Sequence, residues 1–139
     1  MTVRTNRRRP RGDTGAAVID FVMLAGLLVF LLFAVLQAAV YFYARNVAAA
    51  STADAARYAA AEGVDPRAGG PRAAMLLRQG LDDADAKAIS CVGRADRDTR
   101  SGLATTTVHC RGRIRLLFLP LGLPLTVDTT SSVLREGRP

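Results

Sequence analysis

Gly15–Phe21, GAAVIDF, leads without a break into Val22–Ala44, VMLAGLLVFLLFAVLQAAVYFYA. The 24 residues from Phe21 to Ala44 carry no charge and one strongly polar side chain, Gln37. As a helix they extend roughly 36 Å, enough to cross a ~30 Å hydrocarbon core with some tilt. Fourteen of them are Leu, Val or Phe, and at the usual gain per residue these favour insertion by roughly 6 kcal/mol. Asp20, at the edge of the run, costs at most about 3 kcal/mol even at the midplane. The balance predicts a spanning helix, and the chain beyond it is short for wrapping such a helix as a soluble core. An acid at its mouth therefore calls for a reason.

Charge predicts the orientation. Arg4, Arg7, Arg8, Arg9 and Arg11 precede the span against one acid, Asp13, so the positive-inside bias places the N-terminus in the cytoplasm and the rest of the chain outside. A run such as RRRPR also occurs in nucleic-acid binding; beside an apolar span it reads as a topology signal, and no nucleic-acid partner is expected. The region after Ala44 is only mildly basic.

The expected fold class is α+β: a long N-terminal transmembrane helix, a rod, continuing into a small extracytoplasmic domain with a short helix and about three antiparallel strands. Residues 1–15 read as a basic cytoplasmic leader, Arg-, Pro- and Gly-rich and disordered. Residues 16–62 read as one helix, with the span over about 21–44. Tyr41 and Tyr43 suit the outer headgroup zone. RNVAAASTADAARYAAAEG, Arg45–Gly63, is alanine-rich and free of proline, so the helix continues to Glu62 and stops at Gly63, about 70 Å in all. Asp54 and Arg57 share an exposed face.

Residues 63–139 form the domain. Asp65–Pro66 marks a turn, and Pro71 suits the first position of a second helix, PRAAMLLRQ, ended by Gly80. LDDADAKA is a turn or loop. Its aspartates, Asp82, Asp83 and Asp85, lack the glycine and terminal glutamate of a calcium loop and read as a solvated helix face. In TVHCRGRIRLLF, Val108, Cys110, Gly112, Ile114 and Leu116 alternate with His109, Arg111, Arg113 and Arg115, the period of a half-buried strand. AISCVG sets Ile89, Cys91 and Gly93 on one face, and LTVDTTSSVL supplies a third strand after LPLGLP. A hairpin centred on Arg100–Ser101 gives paired residue numbers that total 201, which sets Cys91 opposite Cys110. In an oxidising compartment that pair forms a cross-strand disulfide; two small buried thiols are the alternative reading. Arg111, Arg113 and Arg115 read as a solvated outer face.

Nothing here points to catalysis. His109 is the single histidine and adjoins Cys110 in a strand, so their side chains point to opposite faces. A zinc site is short of ligands, and no glycine loop for phosphate occurs. No enzyme activity, cofactor, metal or small-molecule substrate is expected.

The basic arm, Gly15, four small or apolar residues, Asp20, Phe21 and a long apolar helix resemble the leader of prepilins and pseudopilins. More narrowly, RGDTGAAVIDF with the following YFYAR and ADAARYAA is similar to the TadE-like family of the tight-adherence pilus system. The resemblance rests on Arg11–Gly12, Ala17–Phe21, Tyr43–Arg45 and Ala53–Ala60. It implies a minor pseudopilin that helps assemble or anchor Flp-type pili beside other pilus subunits and an inner-membrane platform. It also implies a prepilin peptidase that cuts between Gly15 and Ala16, leaving Asp20 fifth in the mature chain. The family usually has Glu at that place, and Asp20 is one methylene shorter. A buried carboxylate and a buried ammonium each cost several kcal/mol, and pairing recovers much of it. Asp20 thus suits the freed Ala16 amine of a neighbouring subunit. Ala34 and Ala38 form a small-xxx-small pair that lets helices approach. The alternative is a membrane-anchored extracytoplasmic binding module unrelated to pili.

Overall fold

A computed structural model describes residues 14–114 and 125–135. The basic leader up to residue 13, Arg115, Leu116 and the LPLGLP connection lie outside the described residues. Contacts divide the chain into two units, the second beginning at Gln37.

Helix α1 runs Thr14–Ala60 without interruption. Its interior holds no proline, and leucine and alanine, the strongest helix formers, dominate it. In the first unit its apolar side chains stand open: Phe21, Leu24, Leu28, Phe30 and Leu32 are each more than half exposed. Among the described residues α1 is the helix long and apolar enough to cross a membrane. It ends two residues before the expected Glu62, where Ala61 N–H donates back to Tyr58 O and Gly63 takes φ 79°. That left-handed turn costs a glycine little, which is why the helix stops here.

In the second unit a 3₁₀ turn, Pro66–Ala68, is capped by Asp65, whose carboxylate accepts from the Arg67 N–H at 2.9 Å. Helix α2 then covers Gly69–Gly80. It starts two residues before Pro71, so the proline sits within the first turn, where its missing N–H still costs nothing. LDDADAKA takes the helical reading: Asp82 accepts from the Asp85 N–H at 2.8 Å and caps α3, Asp83–Lys87.

Three strands follow, β1 Ile89–Arg97, β2 Ala104–Ile114 and β3 Leu125–Leu134, in an antiparallel sheet of order β1-β2-β3. The β1–β2 register runs from Ile89 opposite Gly112 to Arg97 opposite Ala104, with Cys91 opposite Cys110. It is the register expected from the hairpin centre. Along β3, Val127 pairs with Gly112 and Val133 with Thr106. The apolar face of the sheet (Ile89, Val108, Cys110, Ile114 and Val127) is buried together with Ala44, Ala48, Ala55 and Ala56 of α1, Ala73 and Leu77 of α2, and Ala86 of α3. Gly93 lets β1 and the start of α2 approach backbone to backbone. A Cβ there would run into the Pro66 carbonyl and lie 3.1 Å from the Gly70 nitrogen.

Candidate functional site

The candidate residues fall in two places, one in each unit. At the start of α1, Gly15, Ala16, Asp20 and Phe21 are all exposed. Helical spacing puts Asp20 four residues, about one turn, beyond Ala16, on the same face. Among the described residues no ion pair includes Asp20. Asp20 is thus an exposed carboxylate at the start of an open apolar stretch. Ala34 and Ala38 are likewise exposed and one turn apart.

In the second unit α1 changes character. Ala44, Ala48, Thr52, Ala55, Ala56 and Ala59 are all at most 2% exposed, at spacings of three and four, which is one helix face. Small side chains let the sheet lie close, and hydroxyls stitch it down. Thr52 Oγ1 donates to Ala48 O at 2.6 Å and lies 2.9 Å from Thr129 Oγ1 of β3. A hydroxyl has one proton, so with Ala48 accepting it, Thr129 is the donor in the second bond. Thr106 of β2 donates to Ala59 O at 3.3 Å. Tyr43 serves the fold as well as any interface, because its hydroxyl donates to Gly80 O at 3.0 Å at the end of α2. The buried helix face escapes sequence reasoning because alanine fills both sides of this stretch; only its threonine and serine positions carry a signal.

Asp54 and Arg57 are both exposed, as their spacing on one helix face predicts. Asp54 meets Arg72 of α2 at 3.3 Å, and the Arg72 guanidinium lies 5.5 Å from the Tyr58 ring centre.

Cys91 and Cys110 are joined as a disulfide, Cys110 fully buried. His109, on the opposite face, donates from Nε2 to Asp128 at 2.8 Å, with the Arg111 guanidinium 3.8 Å from the other oxygen. The outer face is thus partly neutralised across strands β2 and β3 rather than uniformly basic. In the β1–β2 loop the Ser101 hydroxyl, followed by the Arg100 N–H, holds the Asp98 carboxyl below its usual range. Among the described residues no group of three or more His, Cys, Asp or Glu is placed to hold a metal ion.

Comparison with known proteins returns a single kind of match. No curated protein and no solved structure matches the chain. Residues 15–57, just under a third of its length, match the family described as TadE-like protein. The match begins at Gly15, takes in Asp20, the open apolar stretch and the alanine face, and ends three residues before α1 does. Over most of α1, then, the chain is similar to TadE-like protein.

Proposed function

We propose that the chain is a minor pseudopilin of a tight-adherence system, a single-span membrane protein that helps assemble or anchor Flp-type pili. One observation carries the reading: within the TadE-like region, Asp20 stands exposed on an open apolar helix one turn from Ala16. The five leader arginines set the N-terminus in the cytoplasm and the domain outside. A prepilin peptidase hydrolyses the Gly15–Ala16 bond, and the new ammonium on Ala16 becomes the counter-charge for Asp20 of an adjoining subunit. Pairing in low dielectric offsets much of the desolvation of both groups and fixes the axial offset between helices. Ala34 and Ala38 let those helices come close. The partners are other pilus subunits and the inner-membrane platform. The role is structural rather than catalytic: Cys110 is held in a disulfide and His109 is engaged by Asp128.

Intact mass and N-terminal sequencing of protein purified from membranes test the processing step. A chain beginning at Ala16 is the expected result. A chain retaining Met1 leaves an unprocessed anchor, which fits a membrane-tethered binding module instead, and a start near Ala39 marks a secreted protein.

A further inference from the structure

The sheet has one edge that no described element covers. β3 lies outermost in the order β1-β2-β3, and its pairing with β2 is unbroken from Thr105–Leu134 to Ile114–Leu125. Just past that ladder the Arg135 N–H donates to Ala104 O at 3.0 Å. Antiparallel geometry alternates from there, so Leu125, Val127, Thr129, Ser131 and Val133 direct their N–H and C=O groups at β2. Thr126, Asp128, Thr130, Ser132 and Leu134 direct theirs away from it. The side chains of those five are all exposed. Exposed edges usually carry a bulge, a proline, a lysine or a short strand that blocks further pairing. β3 is ten residues long with no proline, lysine or bulge, and its one charged side chain is Asp128.

We propose that this edge is a docking site for an extended segment of a partner subunit, taken up as a fourth strand. The two faces state the segment's chemistry. On the inner face Thr129, Ser131 and Val133 are only half-buried, whereas Thr106, Val108 and Cys110 of the central strand are fully buried. β-branched apolar residues beside Val127 and Val133 complete that layer. On the outer face a Lys or Arg belongs beside Asp128, whose carboxylate is half exposed even with His109 and Arg111 in contact.

The proposal stands on the sheet alone and does not depend on processing or on Asp20.

The test uses the full chain in phospholipid nanodiscs and a synthetic ten-residue peptide of alternating valine and threonine with one central lysine. A second peptide, methylated on alternate backbone nitrogens, serves as control, and amide hydrogen exchange is read residue by residue. Binding is expected to slow exchange at Thr126, Asp128, Thr130, Ser132 and Leu134 by about tenfold or more. The amides of the intervening residues, already bonded to β2, should not change. Thr130→Pro removes an outward N–H only, so Thr129 should stay protected while peptide binding is lost. The proposal is overturned if the five amides are already slow in the free chain or slow with protein concentration alone. It is equally overturned if the methylated peptide protects them as well, or if neither peptide does.

Discussion

Two stretches of one helix meet their surroundings in opposite ways. From Val18 to Leu36 the side chains of α1 are mostly Leu, Val and Phe, and they stand 41–72% exposed wherever they are large and apolar. From Gln37 to Ala60 the buried positions are Gln37 and then only small residues: Ala44, Ala48, Ser51, Thr52, Ala55, Ala56, Ala59 and Ala60. Both stretches are helical for the same local reason, propensity without proline. They differ in side-chain size. Bulky tails maximise the apolar surface offered to a solvent of hydrocarbon, whereas alanines bring a sheet close to the helix backbone, where Thr52 and Thr106 can make hydrogen bonds. Helix formation therefore says little about environment, and the volume of the residues on each face says much.

The largest expected effect separates the two stretches by breaking one of them. Replacing Cys91 and Cys110 by serine should cost the domain about 2–5 kcal/mol, read as a fall in its thermal midpoint. Membrane insertion of the first stretch should be unaffected in fractionation. A smaller effect uses one substitution in both stretches. Ala55→Leu forces three heavy atoms into a fully buried position and should destabilise the domain by about 1–3 kcal/mol. Ala34→Leu, on the open stretch, should leave the domain's denaturant midpoint unchanged and weaken only helix association. Equal loss of stability from both would erase the distinction. Thr52→Val keeps the shape of a buried side chain and removes its hydroxyl, leaving Ala48 O without its second donor and Thr129 without its acceptor. A loss of about 1–2 kcal/mol is expected, again in chemical denaturation.

The smallest effect lies far from α1. Asp98 has its carboxyl held below the usual 3.8 by Ser101 and Arg100. A depressed folded-state value means the loop gains from ionised Asp98 above the unfolded value and loses that gain as pH falls through the folded one. An NMR titration of the Asp98 carboxyl should give a midpoint below 3.8, with Arg100 and Gly102 amide shifts moving in step. A midpoint at or above it contradicts the bonding described.

Much of the architecture was legible in residue order. The period-two alternation around Cys110 and a hairpin centre in RDTRSG were enough to place Cys91 opposite Cys110, because a strand pair with no bulge has a single free parameter. The apolar run and Gly63 located α1 to within two residues at its end. What resisted reading was set by tertiary contact. Asp54 meets Arg72 only because α2 lies alongside. Asp82 becomes a cap only once α3 forms. The buried face of Ala44–Ala60 is invisible to hydrophobic patterning, since alanine occupies buried and exposed positions alike. At the candidate assembly segment, sequence located Asp20, Ala16 and the paired alanines, and the structure adds that all of them are open. The β3 edge needed the strand order, which no local pattern encodes.

The account rests most heavily on the charge at Asp20, and a paired substitution tests it directly. Membranes from the native host, with cysteines placed along residues 20–36 for cross-linking, should show contacts to pilus subunits that are lost in Asp20→Asn and kept in Asp20→Glu. The domain's thermal midpoint should be the same in all three. If Asp20→Asn cross-links as the unaltered chain does and surface fibres persist, the carboxylate has no assembly partner and the account is wrong.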